Sequence, residues 1–352
     1  MVTLYQDKVT ALPRRLSGLT SEETTNDKPV PLSLRPACVR TNDKCQLTPL
    51  SPSPFPCQHN PQITIKKNRT LTRAFAPSIL TKLTHLKRGV TKYGAAPHKP
   101  VLLLAFTDLF DKALVTQNQV YVAADLVGAF LENWGLLVDT PHSADFTQPF
   151  YYLQTDQFNG QPFWFLKPKP GCQINAHISS AKTLAQVVDY GHFAPNVFLM
   201  LADPLSRDLV KTVLLDTYFP QKKAAYLRAK QTGEGYVSDL EGYILNEPEG
   251  QYKKVQVITE DEQFVRGGLF KKMVPRMYNN SCCVTGMHVQ STYGHTFIDA
   301  CHIVPFSVTH NDTISNGIAL CPNLHRAFDR GLITIDAGYR VKVSAGVIED
   351  AP

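Results

Sequence analysis

The chain has 352 residues, 43% of them hydrophobic and 19% charged, with a formal net charge of +6. That length accommodates two ordinary domains, and that composition belongs to a chain that packs a core. No stretch approaches the roughly eighteen uncharged apolar residues of a membrane span, and the first residues lack the short apolar run of a secretory signal, so a cytoplasmic protein with no membrane partner is expected.

Eleven of the 36 Lys and Arg residues but only five of the 30 Asp and Glu residues fall within residues 1–75. The positive excess therefore sits there and the rest of the chain is balanced. Any nucleic-acid surface in the folded part must be a local concentration, such as Lys82, Lys87, Arg88, Lys92 and Lys99, or Arg266, Lys271, Lys272 and Arg276. Residues 1–75 also hold nine prolines and no sustained hydrophobic period, which predicts a disordered or irregular extension. The eight cysteines lack regular spacing, which in a cytosolic chain predicts reduced thiols and not a disulfide framework.

The first helical spacing begins at Ser78 with Ile79, Leu80, Leu83 and Leu86. A loop over Tyr93–Lys99 precedes Pro100 and the run Val101–Phe106, which reads as a buried helix with proline in its first turn. Ala123–Asn133 reads as a second helix. Phe150–Leu153 and Phe163–Leu166, separated by a turn at Phe158-Asn159-Gly160, suggest a hairpin. Leu184–Tyr190 and Pro204–Phe219 read as helices, giving a mixed first domain over 76–222. Polar, glycine-punctuated residues 223–260 read as a linker. A helix over Glu262–Asn279 opens a second domain, 261–352, and the fold class is α+β.

The informative stretch begins Cys282-Cys283-Val284-Thr285-Gly286, read as a short strand into a turn. It returns as Thr296–His302, a strand ending at a histidine and stopped by Pro305. Then come Asn316-Gly317-Ile318-Ala319-Leu320-Cys321 and a helix opened by Pro322, with His325 one turn in. Two strands and a helix would bring His302, Asn316 and His325 towards one place. Phosphodiester hydrolysis needs a base to deprotonate water and a divalent cation to offset transition-state charge. A neutral imidazole can be the base, and a second imidazole with a carboxylate can hold the metal. Read singly, each residue has a plainer use: Asn before Gly is usually a turn, and Cys321 with His325 could be half of a structural zinc site.

Together, Cys-x-Val-Thr-Gly, Ala-Cys-His-Ile-Val-Pro, Asn-Gly-Ile-Ala-Leu-Cys and Leu-His-Arg-Ala-Phe-Asp-Arg-Gly-Leu-Ile resemble the HNH endonuclease module of predicted restriction enzymes. The resemblance implies a ββα-metal fold that cuts DNA with a divalent cation, Mg2+ or alternatively Mn2+. It implies His302 as general base, Asn316 as the middle residue, and His325 as a metal ligand with Asp299 supplying a carboxylate. Many relatives place Asp immediately before the first His, where this chain has Cys301.

Upstream, Gly94-Ala95-Ala96-Pro97-His98-Lys99-Pro100-Val101-Leu102-Leu103-Leu104, with Gln148-Pro149-Phe150-Tyr151-Tyr152-Leu153 and Phe163-Trp164, resembles the sulfur-binding domain of phosphorothioate-dependent restriction enzymes. It implies a DNA-binding role for His98 and Lys99 in a basic loop and for Pro149 and Tyr152 in an apolar pocket. Gln148 stands where a tyrosine is common. Three functions follow: a modification-dependent nuclease acting on double-stranded, phosphorothioate-modified DNA; an HNH nuclease acting on unmodified DNA; and a catalytically silent DNA-binding reader. Cutting both strands with one site per chain implies a homodimer.

Overall fold

In the computed structural model of the chain, the described residues are 78–158, 160–233, 235–246, 259–291, 296–336 and 338–348. The extension expected over 1–75 lies outside them. Among the described residues, helices combine with small two-stranded sheets in an α+β arrangement, and no helix is long and apolar enough to cross a membrane.

Residues 78–158 begin with a helical turn at 78–83 and a small hairpin, β1 (Val90–Thr91) with β2 (Gly94–Ala95). The proline-opened helix is α1 (His98–Asp111), buried from Lys99 through Phe110. A helix apolar on every side belongs at the centre of a core. Around it pack α2 (Ala124–Leu137), α3 (Thr147–Tyr152) and, further along, the helix over Pro204–Tyr218.

The aromatic hairpin takes a different form from the one expected. Phe150–Tyr152 lies in α3, whose N-terminus is capped by Asp145 Oδ1, accepting from Thr147 N at 2.9 Å and Gln148 N at 3.3 Å. Capping and proline in the first turn outweigh the strand preference of the aromatics. The turn joins only β3 (Gln157–Phe158) to β4 (Gln161–Pro162). Trp164 lies in β5 (Trp164–Pro168), which pairs with β6 (Val188–Phe193), so the helix expected over Leu184–Tyr190 is α4 (Ala181–Val187) running into a strand. Trp164 is fully buried among Phe106, Phe150 and Phe193, and its Nε1 donates to Phe150 O at 2.9 Å.

After α5 (Pro195–Ala202) and α6 (Pro204–Tyr218), the expected linker is folded over much of its length. It contains α7 (Lys223–Thr232) and α8 (Tyr236–Asn246), and Gly233, at φ +70°, is the left-handed cap that ends α7. Tyr226 of α7 is buried and donates to Asn133 Oδ1 at 3.1 Å, while Lys230 reaches Asp108 at 2.9 Å and Glu132. Burial pushes the Asp108 carboxyl up, and Lys230 and Asn133 offset part of that. Residues 247–258 lie outside the described ones.

Helix α9 (Glu260–Met277) starts with Thr259 Oγ1 accepting from Glu262 N at 3.2 Å, and acidic residues fill its first turn, where the helix dipole favours them. It serves two cores. Val265 and Leu269 join the first; Phe270 and Val274 join a second with Ile298, Cys301, Ile318, Leu320 and Phe328. Its N-terminus also meets the first lobe, where Asp261 accepts from Phe146 N at 3.5 Å. Burial pushes the Asp261 carboxyl up to about 6.

The remaining elements form a ββα unit. Strand β7 (Asp299–His302) pairs antiparallel with β8 (Gly317–Leu320), in the register Asp299↔Leu320 and His302↔Gly317. Between them lie α10 (Phe306–Thr309) and a 3-10 turn, Ile314–Asn316. Helix α11 (Pro322–Asp329) follows β8, and β9 (Ile333–Ile335) pairs with β10 (Val341–Val343). The strand expected at Cys282–Gly286 is a turn instead, tied to its neighbours by Cys282 N to Met287 O and Cys283 N to Ala319 O, both 2.9 Å. Positive φ at Gly286 reverses the chain too soon for a ladder.

Candidate active site and binding cleft

Side chains alternate across a strand, so His302 and Ala300 of β7 face one way and Cys301 and Asp299 the other. Helix α9 covers the first face. The Phe270 ring stacks on His302 with centroids 4.0 Å apart and planes 5° apart. Gly317, opposite His302 in the ladder, makes that approach possible, because a Cβ there would sit 2.6 Å from Val274 and 3.0 Å from Phe270.

His302 Nε2 lies 2.9 Å from Oδ1 of the buried Asp312. A carboxylate accepts, so Nε2 carries the proton and Nδ1 is left as the acceptor. Asn316 holds the intervening loop. Its Oδ1 accepts from Val304 N at 2.8 Å, and its Nδ2 donates to Val304 O at 2.9 Å and Asn311 O at 3.0 Å. These bonds span the segment between His302 and Asp312.

On the other face, α11 presents His325. Its Nδ1 lies 3.2 Å from Asp299 Oδ2 and its Nε2 3.4 Å from Asp329 Oδ2. Cys301 Sγ is 3.8 Å from Asp329 Oδ1. One potential ligand atom each from Cys301, His325 and Asp329 lies within 4.8 Å of the others. With Nδ1–H given to Asp299, Nε2 faces a carboxylate as acceptor to acceptor, an arrangement that a cation satisfies.

The sequence-predicted residues thus fall into two adjoining groups. His302 and Asn316 share the loop with Asp312; His325 and Asp299 share the cluster with Cys301 and Asp329. Asp299 contacts the outer nitrogen of His325 and lies outside the three-ligand cluster. Asp329 was missed, although its position four residues after His325 puts both on one helix face. Asp312 was missed for want of any local signal, since only the folded loop returns it to His302.

In the first lobe, His98, Lys99, Pro149 and Tyr152 all line one cleft of about 730 Å³, with Lys87, Arg88, Thr91, Ala96, His142, Ser143 and Gln148 among the other walls. His98 Nε2 donates to Ser143 O at 2.9 Å, and its ring packs on Trp134. Burial lowers its pKa despite the opposing Ser143 bond and so favours the neutral ring. Lys99 is buried in an ion pair with Asp156 at 2.5 Å, its Nζ also donating to Thr155 Oγ1 at 3.2 Å. It therefore braces the wall. Among the described residues, the cleft cations without a buried acidic partner are Lys87, whose Nζ donates to Thr155 O, and Arg88, held over the Tyr218 ring at 4.6 Å.

Residues 282–336, which carry both groups around the hairpin, match the HNH endonuclease family. The chain is also similar to the type IV methyl-directed restriction enzyme EcoKMcrA of Escherichia coli (strain K12), at 32% identity over 92 residues. That match takes in 26% of this chain and 33% of the relative, so the chain covers about a third of that protein's length.

Proposed function

We propose that the protein is a metal-dependent DNA endonuclease of the modification-dependent kind, with the first lobe reading the DNA and the ββα unit cutting it. The observation that carries this reading is the pairing of His302 with Asp312 on the strand residue next to Cys301 of the Cys301, His325 and Asp329 cluster. His302 is the last residue of β7, so the base on one face of the strand and the cation site on the other both border the strand end, where a phosphate bound across that end would meet both.

In this mechanism His302 takes the proton of the attacking water at Nδ1, while Asp312 holds the other nitrogen and stabilises the imidazolium that forms. Phe270 fixes the ring plane. Asn316 acts as a positioning residue by keeping Asp312 and the loop in place. Cys301, His325 and Asp329 would hold the divalent cation, and Asp299 orients His325 from outside. Bound there, the cation supplies Lewis-acid stabilisation of the charge that develops on the phosphate.

The cleft supports the reading role. It sets the apolar surfaces of Ala96, Pro149 and Tyr152 beside Lys87 and Arg88, a mixture suited to a phosphate whose non-bridging oxygen is replaced by the larger, less hydrated sulfur. The gain from such burial is modest, on the order of 1–2 kcal/mol. A second reading, that the modification is a methyl group, is favoured by the similarity to a methyl-directed enzyme. Cleavage of both strands by one site per chain calls for two copies on the DNA.

The test is cleavage of one plasmid prepared in phosphorothioate, methylated and plain forms, by the wild type and His302→Ala, with Mg2+, Mn2+ or Co2+. The expected result is cutting of the phosphorothioate form, with His302→Ala slower by at least about a hundredfold. Preference for methylated plasmid selects the second reading, and equal cutting of all forms removes modification sensing. An unchanged His302→Ala rate, or no cutting of any substrate, removes the catalytic assignment.

A further inference from the structure

We propose that the Cys301, His325 and Asp329 cluster is a thiolate-bearing cation site that takes a borderline divalent metal, of the cobalt, zinc or nickel type, in preference to magnesium. This inference rests on the reading of the cluster as the nuclease metal site and goes beyond it, because the family resemblance leads one to expect magnesium.

Mg2+ is a hard cation that demands oxygen donors in near-octahedral array, whereas sulfur and imidazole nitrogen suit borderline ions that accept tetrahedral coordination. The cluster offers one sulfur, one imidazole nitrogen and a single carboxylate, with ligand atoms within 4.8 Å of one another. Three protein ligands with a fourth position left over is the pattern of a catalytic site open to water or substrate.

The burial pattern agrees. Cys301 is completely buried, on the face of β7 toward α11, whereas Asp329 is exposed. The sulfur therefore comes from the floor of the site and the carboxylate from its rim. Cys301 Sγ lies 3.8 Å from Asp329 Oδ1 and 3.6 Å from His302 O. A cation bound there would be held by the Cys301 thiolate, its proton released to solvent, and by the Asp329 carboxylate, two anionic ligands around one divalent charge. Asp299, holding His325 Nδ1 at 3.2 Å, presents Nε2 to the same place.

The experiment uses the full chain and Co2+ alone as the probe, with binding followed by calorimetry and by the near-ultraviolet thiolate-to-cobalt absorption band. The wild type is expected to bind one Co2+ per site with that band, and a hundredfold excess of Mg2+ is expected not to displace it. Cys301→Ser should lose the band and weaken Co2+ binding at least tenfold. Asp329→Asn should bind more weakly yet keep the band, which separates ligand loss from misfolding of a core variant. Cys301→Asp should restore Mg2+ competition. The proposal is overturned if Co2+ binds without the band, if the band persists in Cys301→Ser, or if Mg2+ displaces Co2+ at equal concentration. Loss of Co2+ binding in His325→Ala but not in Cys301→Ser removes the thiolate and keeps the metal site. Co2+ binding that survives both changes removes the site itself, and with it the nuclease metal assignment.

Discussion

The ββα unit and the cleft of the first lobe are built on opposite plans. In the ββα unit, the groups with chemistry come from a short run of chain, Asp299 to Asp329, folded on one hairpin and one helix. Their acidic partners lie 4 to 26 residues away, and each histidine keeps a partly exposed edge. In the cleft, the lining comes from four stretches between Lys87 and Thr155, and its most buried cation is neutralised by a partner 57 residues along. A site assembled locally can be written as a motif. A site assembled by long-range pairing keeps its residues in view but hides what they do, and Lys99 is the example: its position in the cleft follows from the string around it, its pairing with Asp156 does not.

The largest expected effect tests that contrast. Lys99→Met leaves the buried Asp156 without its cation, although Lys87 N still donates to its Oδ1 at 2.7 Å, and should lower stability by about 3–5 kcal/mol. The double variant Lys99→Met with Asp156→Leu should recover most of it, measured by chemical denaturation of the full chain. If Lys99→Met instead keeps wild-type stability and loses DNA affinity alone, Lys99 acts as a free cation at the DNA and the contrast fails.

The same division explains how much could be read from sequence. The strand ending at His302, the helix carrying His325 and the buried helix after Pro97 follow from short-range signals: strand alternation, proline at a helix start, apolar runs; the partner strand is Gly317–Leu320 and not the expected Cys282–Gly286, which is a turn. The α+β class followed from them. Failures came where tertiary context outweighed local preference. Phe150–Tyr152 has the composition of a strand and is helical, because Asp145 caps it and Trp164 packs on it. Residues 223–246 have the polarity of a linker and form two helices, anchored by Tyr226 and Lys230 to Asn133 and Asp108 nearly a hundred residues or more earlier. Asp312 belongs to the same class, since nothing in His310-Asn311-Asp312 announces a partner for His302.

A middle-sized effect sharpens the account of the hairpin. Asn316→Ala removes three hydrogen bonds to the 303–311 segment and leaves Val304 N without its acceptor. The cost in stability should be about 1–3 kcal/mol. If Asn316 acts by placing Asp312, cleavage should lose kcat with little change in KM, and Co2+ binding at Cys301, His325 and Asp329 should stay as in the wild type. Loss of Co2+ binding together with kcat would show that the loop and the metal cluster are one unit, contrary to the two groups seen on the two faces of β7.

The smallest effect concerns the cleft. Arg88 lies on the Tyr218 ring at the cleft wall with no carboxylate paired to it among the described contacts, so its charge is available to a phosphate. Arg88→Ala should leave the melting temperature nearly unchanged, because a partly exposed cation–π contact contributes only about 0.5–1 kcal/mol. DNA affinity should fall uniformly across base sequences, and the slope of log affinity against log salt should decrease by about one, the signature of one lost phosphate contact. Equilibrium binding of a short duplex over a range of salt concentrations reads both quantities. A loss confined to modified duplex would assign Arg88 to reading the modification itself, and an unchanged slope would move the DNA path off this cleft towards the basic side chains of α9.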